Sequence, residues 1–374
     1  MKTPEVFLLH AYSPRNSGDG LLVKLSLRAI CSAGIVGPVT VVCLDKAAFA
    51  GYLDDTNVEL ISLAQFVVRI VRRIGSMRAA IFFGVGGGYL RSGTLSEGWK
   101  ALIAHGTQIA GTALGGRRSR TVYLPQSVGP FKGISGVILK ALIRRHVDTI
   151  FLRDDKSREE LQHRRGVRTG DLVVLEIGKH LQIPAIALTT QERRKVFFVF
   201  RDLSGKPYSE VYLKNIRRLV ELIPDAGFAL QSSGRGNSDD VFYQRTFGVQ
   251  CNALLRDIVL RRDAIIVSVR LHGSLESVLA GVPSVHLSYE RKGHAAYSDL
   301  GIDDYVFHAG DFDPVKVADT VERLRNDPTP FWNSLDKASA NRYDELVEYI
   351  KNEVQLFDHA TDGRKLLARR SGNL

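Results

Sequence analysis

The segment Ser268-Val269-Arg270-Leu271-His272-Gly273 carries a guanidinium and an imidazole at alternate positions, after the apolar run Ala264–Ser268 and before a helical pattern. Alternate side chains of an extended segment project to the same side, so Arg270 and His272 would face one space. A fixed cation beside a titratable imidazole suits an anionic substrate that must exchange a proton. The next apolar run, Ser284–Leu287, leads to Tyr289-Glu290-Arg291-Lys292-Gly293, and the run Val196–Phe200 leads to Arg201, so further cations gather at run ends. Arg153 leaves the run Thr149–Leu152 in the same way. Its guanidinium could grip a carboxylate or phosphate bidentately, or pair with the adjacent Asp154 or Asp155.

Glycine-bearing segments follow other runs. Asn16-Ser17-Gly18-Asp19-Gly20 comes after Val6–Leu9 and opens a helical pattern. Glycines there let a backbone approach a ligand, although an ordinary loop with Asp19 as N-cap reads equally from the residues. Gly84-Val85-Gly86-Gly87-Gly88 has Tyr89 where a dinucleotide fingerprint has its third glycine, and it has no Walker lysine. So dense a glycine string implies that something approaches the backbone closely. Pro125-Gln126-Ser127-Val128-Gly129-Pro130 follows the run Thr121–Leu124.

Several chemistries lack their residues. There is no His-Glu-x-x-His, no Gly-x-Ser-x-Gly and no kinase signature set. Asp311-Phe312-Asp313 matches the Asp-x-Asp of metal-dependent glycosyltransferases, but Pro314 and an apolar-periodic stretch follow, so Asp313 reads as a helix N-cap. No metal is expected. Cys31, Cys43 and Cys251 are widely spaced and form no Cys-x-x-Cys pair, which fits reduced thiols in a cytoplasmic protein without structural zinc. The N-terminal apolar run is too short for a signal-peptide core, and no stretch would span a membrane.

The elements that would position these groups alternate in type. Val6–Leu9, Val39–Leu44, Val58–Ile61, Ala79–Phe83, Thr121–Leu124, Thr149–Leu152 and Leu172–Leu175 read as buried strands with helical stretches between them. The pattern weakens over Ile177–Arg194 and restarts at Val196. Continuous apolar strands alternating with helices indicate an α/β fold with parallel sheets covered on both faces. The 374 residues suggest two domains. The expectation is two Rossmann-like domains facing a cleft, residues 1–185 and 190–330, with a C-terminal helix and basic tail, 331–374, packing back on the first. Fifty-one Lys and Arg against 40 Asp and Glu give a charge of +11, which implies anionic partners. Cations at strand ends, rather than in a stripe with exposed aromatics, argue against nucleic acid. Gln65–Arg78 reads as a basic amphipathic helix, leaving contact with the inner face of a cell membrane open.

Taken in order, Asn16-x-Gly18-Asp19, Gly86-Gly87-Gly88, Leu124-Pro125-Gln126-Ser127-x-Gly129-Pro130, Arg153-Asp154-x-x-Ser157, Ser268-x-Arg270-Leu271-His272 and Tyr289-x-x-Lys292 resemble the polysaccharide pyruvyl transferase family. The resemblance implies a GT-B-like fold and phosphoenolpyruvate as donor, with no cofactor. The acceptor would be two hydroxyls of one sugar in a polysaccharide or lipid-linked oligosaccharide, leaving a cyclic pyruvate ketal, as in exopolysaccharide biosynthesis. It places Arg270 and His272 on the donor, His272 as acid, and Arg153 and Lys292 on its carboxylate or phosphate. Arg201 is a further donor cation from the reading of strand ends. Asn16, Gly18, Asp19, Gly86, Gly87, Gly88, Gln126 and Ser127 would shape the acceptor side, with Asn16 and Asp19 on the first domain. A GT-B glycosyltransferase using a nucleotide sugar is the alternative.

Overall fold

The computed structural model describes residues 4–53, 56–74, 79–114, 119–181, 193–232, 238–335 and 341–355. The chain divides into two compact units, one of Met1–Pro14, Leu22–Leu172 and Asp344–Leu374, the other of Arg15–Leu21 and Val173–Tyr343.

In the first unit, β1 (Glu5–Ala11), β2 (Val39–Cys43), β3 (Val58–Ser62), β4 (Ala80–Gly84), β5 (Gly87–Ser92), β6 (Ser119–Phe131), β7 (Thr149–Leu152) and β8 (Gly166–Arg168) form an eight-stranded sheet. Its order is β3-β2-β1-β4-β6-β7-β8 with β5 beside β6, and the pairings are parallel. The helices are α1 (Ser17–Ser32), α2 (Lys46–Phe49), α3 (Leu63–Val71), α4 (Leu95–Ala101), α5 (Thr107–Leu114), α6 (Gly133–His146) and α7 (Asp155–Leu161), with a π-helical turn, Leu102–Gly106, joining α4 to α5; α8 (Leu172–His180) begins at the last residue of the stretch Leu22–Leu172 and otherwise belongs to the second unit. Phe7 of β1 stacks on Phe82 of β4 at 5.0 Å and meets Phe66 of α3 edge-on at 6.0 Å. α5 approaches α3 closely because position 111 is glycine: a Cβ there would stand 2.7 Å from the Phe66 ring.

In the second unit, β9 (Lys195–Val199), β10 (Gly227–Phe228), β11 (Ala264–Ser268), β12 (Ser284–Ser288) and β13 (Val306–His308) form a parallel five-stranded sheet of order β10-β9-β11-β12-β13. Its helices are α9 (Ser209–Leu222), α10 (Asp239–Phe247), α11 (Leu255–Val259), α12 (Leu271–Leu279), α13 (Arg291–Asp299), α14 (Pro314–Asn326) and α15 (Thr329–Asn333). Asp313 caps α14, its carboxylate accepting from Val315 N–H at 2.9 Å with Pro314 in the first turn. Both sheets are Rossmann-like, as the apolar runs indicate.

The structure departs from the sequence reading in three places. Leu172–Leu175 is the first turn of helix α8, not a strand; all four residues are fully buried, and burial on every side erases helical periodicity. Gly87 and Gly88 begin a strand, β5. The single C-terminal helix expected within 331–374 is two among the described residues: α15 ends at Asn333 and residues 341–355 form a separate helix. Tyr349 of the latter shares a hydrogen bond with Thr149 at 3.0 Å, accepts from Arg165 at 2.9 Å, and meets Phe151 edge-on. The expected domain ends at 185 and 190, and the tail beyond 355, lie outside the described residues. The contacts divide the chain at 172/173 and 343/344.

Candidate active site

Three strands of the second unit deliver their carboxyl ends side by side, Val199 of β9 in register with Ser268 of β11, and Ser268 with His286 of β12. The sheet order reverses between β9 and β11, where the loops of a doubly wound sheet diverge and leave a crevice. Arg201 leaves β9 there, Arg270 and His272 follow β11, and Tyr289 and Lys292 follow β12.

Beyond β11 the Ser268 hydroxyl accepts from Arg270 N–H at 3.0 Å and donates to the Arg270 carbonyl at 2.9 Å, closing the turn into α12. The Arg270 guanidinium donates through Nε and Nη2 to Oδ1 of Asp239 at 3.0 and 2.5 Å. The other oxygen of Asp239 accepts the N–H groups of Gln231 and Ser232 at 3.0 and 2.9 Å. Burial pushes the Asp239 carboxyl up and the Arg270 charge pulls it back. Donors on both oxygens fix this carboxylate, and it in turn fixes the plane of the guanidinium.

His272 is the second residue of α12 and stands against the segment that opens α1. A Cβ on Gly18 would lie 2.5 Å from His272 Cβ and 2.9 Å from Nδ1, so this approach requires glycine at 18. The segment is held by side chains on either side of Gly18. Ser17 Oγ donates to Glu276 Oε2 on α12 at 2.9 Å, and Asn16 forms an antiparallel bridge with Ser232. Asn16 Nδ2 donates to Asp19 Oδ2 at 3.0 Å. Burial raises the Asp19 carboxyl, against the pull of His272 first, then Asn16, Lys292 and Arg270.

Arg201 donates through Nη1 to Tyr289 Oη at 2.7 Å and lies 5.2 Å from the centre of the Tyr289 ring. Its Nε is buried with no acceptor among the described residues, a donor that an incoming anion would satisfy. Lys206 approaches the same ring at 5.5 Å. Lys292 pairs with Glu290 at 2.7 Å. The edge therefore offers one neutrally partnered guanidinium, two cations matched by acids, and an imidazole with a carboxylate nearby. Such a set can bind an anion and donate a proton to it.

A family model for polysaccharide pyruvyl transferases matches residues 16–243. The chain belongs to the polysaccharide pyruvyl transferase family. The matched span holds Asn16, Gly18, Asp19, Arg153, Arg201 and Asp239, while Arg270, His272 and Lys292 lie beyond its end. Among solved structures the chain is similar to a protein assigned as a UDP-N-acetylglucosamine 2-epimerase from Listeria monocytogenes, at 12% identity over 95% of this chain and 97% of that one, TM-score 0.54. Weaker likenesses are to the spinosyn rhamnosyltransferase SpnG complexed with thymidine diphosphate (12% identity, 95% and 100% covered, TM-score 0.47) and to the glycosyltransferase SnogD from Streptomyces nogalater (13%, 95% and 100%, 0.45). The first of these is a likeness of fold alone, in keeping with two Rossmann-like sheets. No curated protein matches in sequence.

The other residues expected from the family motifs are distributed differently. Asn16, Gly18 and Asp19 belong to the second unit, not the first: Asn16 bridges to Ser232, Ser17 between them bonds Glu276, and Gly18 lies against His272. Arg153 lies in the first unit and pairs with neither Asp154 nor Asp155. It is bound to Asp171, and through Nε to Ser127 at 2.7 Å. Asp154 instead caps α7 and accepts from Ser127 at 2.6 Å. At the glycine string the approaching group is the protein itself: Cβ atoms at Gly84, Gly86 and Gly87 would meet the Tyr123 ring, the Pro125 carbonyl and the Tyr89 ring at 2.7, 3.0 and 3.0 Å. Gln126 donates to the Val85 carbonyl and to Tyr89 Oη. Among the described residues no group of three or more His, Cys, Asp or Glu is arranged to hold a metal ion.

Sequence reasoning did not find Asp239, Gln231 or Glu276, nor a buried cluster in the first unit. At the end of β1, His10 takes a left-handed backbone (φ 69°). Its N–H donates to Gln108 at 2.8 Å, its Nε2 meets Tyr123 Oη at 2.6 Å, and its Nδ1 lies 3.2 Å from Nδ1 of His105 in the π-helical turn. Burial holds both imidazoles neutral, His10 well below the ordinary histidine range and His105 at about 4. Their charged forms are favoured only in the unfolded chain. Stability is thus complete above about pH 6.5 and is lost as pH falls toward 4, by roughly 3 kcal/mol for His105 alone. Buried His286, lowered to about 3, adds to the loss in the second unit. Urea denaturation at pH 7 and pH 5 should show the difference, and His105→Gln should shrink it; equal midpoints at both pH values would refute it.

Proposed function

We propose that this family member transfers the enolpyruvyl group of phosphoenolpyruvate to two hydroxyls of one sugar, in a polysaccharide or lipid-linked oligosaccharide, forming a pyruvate ketal. The observation that carries the reading is the meeting of His272, Gly18 and Asp19 beside Arg270, where the second sheet reverses its order. The imidazolium of His272 protonates the methylene carbon of the donor, making C2 an oxocarbenium-like electrophile. One sugar hydroxyl adds there and loses its proton; the second displaces phosphate, which leaves with the other proton. Arg201, Arg270 and Lys292 oppose the charge of the donor carboxylate and departing phosphate. Asp239 acts through Arg270 as a positioning residue. Arg153 belongs to the first unit, where it is bound to Asp171 and Ser127, and it is given no role in the scheme. Enol protonation and phosphate departure are served by these groups, so the scheme calls on no metal or cofactor.

The test compares ligands and products. Phosphoenolpyruvate should raise the melting temperature where UDP-sugars do not, and candidate acceptor glycans incubated with both should gain a pyruvate increment by mass spectrometry. Stabilisation by a UDP-sugar with gain of a hexose increment would replace this reading with glycosyl transfer.

A further inference from the structure

The helices α3, α5, α4 and α6 of the first unit pack side by side. Their inward residues, such as Phe66, Ile109 and Leu139, are fully buried. Their outward residues are apolar as well. On α4 and its continuation, Leu95, Trp99 and Ile103 recur every fourth residue and are 72%, 51% and 65% exposed. On α6, Ile134 and Val137 are 73% and 65% exposed. The two stripes adjoin, since a Cβ on Gly133 would lie 3.6 Å from Leu95. The same layer continues through Val68, Val71 and Ile74 of α3 and its end. Most of the exposed large apolar side chains among the described residues therefore lie on this one layer. A concentration of this kind marks a docking surface, whereas scattered single residues would not.

The charges around it are mostly positive. Lys100, Lys132, Arg144 and Arg145 are exposed and Lys140 half-buried along α4 and α6. Glu97 is the one acid on α3 to α6, and it is engaged by Arg91 and by the N–H of Gly93. Glu159 and Glu160 of α7 enter only in the lining of a groove that also holds Lys132, Lys140 and Arg144. On α3 the expected basic face is reduced, because Arg73 is buried against Glu5 and Arg69 pairs with Glu59 at 2.6 Å; Arg78 lies outside the described residues. A second copy meeting this face with its own would set these cations against each other. An anionic surface does not.

We infer that the α4–α6 face docks on an anionic phospholipid bilayer, Leu95, Trp99, Ile103 and Ile134 entering the interface and Lys and Arg of α4 and α6 meeting lipid phosphates. Amphipathic surfaces with Trp and basic residues bind in this way. The inference is independent of the reaction proposed above. No helix among the described residues is long and apolar enough to cross a membrane, so the contact is with the surface.

The full chain should co-sediment with phosphatidylcholine vesicles containing phosphatidylglycerol and not with phosphatidylcholine alone. Leu95→Ser/Ile134→Ser should weaken partitioning more than tenfold, and Lys140→Gln/Arg144→Gln should remove the preference for anionic vesicles. These side chains face water, so melting temperature and phosphoenolpyruvate-dependent turnover on a soluble acceptor should stay at wild-type values. Failure of wild type to bind, or binding unchanged in both variants, would overturn the inference. So would a wild-type dimer by size exclusion that Leu95→Ser/Ile134→Ser converts to monomer. Loss of turnover in the wild type with vesicle binding intact would count against the reaction alone.

Discussion

His272→Gln lowers kcat by roughly two to four orders of magnitude while phosphoenolpyruvate binds nearly as before. That is the range typical of losing a positioned general acid, and the amide keeps the size and polarity of the ring without a transferable proton. Calorimetry on donor alone separates the two terms, since an interaction made only as the barrier is crossed leaves ground-state affinity untouched. Arg270→Lys offers the contrast. It retains charge but loses the fork that Asp239 holds through Nε and Nη2, so donor KM should rise more than kcat falls. If His272→Gln abolishes donor binding, His272 holds the ligand and another group supplies the proton.

Gly18→Ala should cost about a hundredfold in kcat/KM, through a residue that bears no functional group. The added methyl would stand 2.5 Å from His272 Cβ, closer than carbon atoms approach, so one of them must move. The turn behind His272 is pinned by both hydrogen bonds between Ser268 and Arg270, and the segment around Gly18 by Ser17 on Glu276. Rotation about Cα–Cβ moves the ring but not Cβ, so the backbone must give at one of these two places and carry the imidazole with it. Displacement of a reacting group by about 1 Å is enough for a loss of this size. Overpacking at one site costs typically 1–3 kcal/mol, so the variant should still melt cooperatively. Activity within twofold of wild type would show that His272 does not need this position.

The strands were legible because a parallel strand covered on both faces must be apolar throughout, as Phe7, Leu8 and Leu9 illustrate, each fully buried. The same rule misread Leu172–Leu175. A helix buried on all sides is also a continuous apolar run, and periodicity cannot separate the two. In the site, Arg270 and His272 could be found because their position after a strand is written locally. Asp239 could not: it lies in a stretch without motif, and only the fold brings it to Arg270, 31 residues away. Arg153 shows the same limit. Its neighbours in sequence were the obvious acids, yet Asp154 is spent capping α7 and bonding Ser127, and the partner is Asp171. The glycine string was read correctly as a place of close approach, but its own tyrosines fill that space.

The assignment of Arg15–Leu21 to the second unit bears on how such a protein can diversify by recombination. A crossover placed near residue 172 would exchange everything from α8 onward while leaving the recipient's Asn16, Ser17, Gly18 and Asp19 behind. The transplanted half would arrive with Ser232 and Glu276 facing foreign partners, and with His272 against whatever residue the recipient carries at position 18. The heritable module is therefore discontinuous: a short N-terminal piece and a distant C-terminal half must be inherited together, or each must tolerate the other's counterpart.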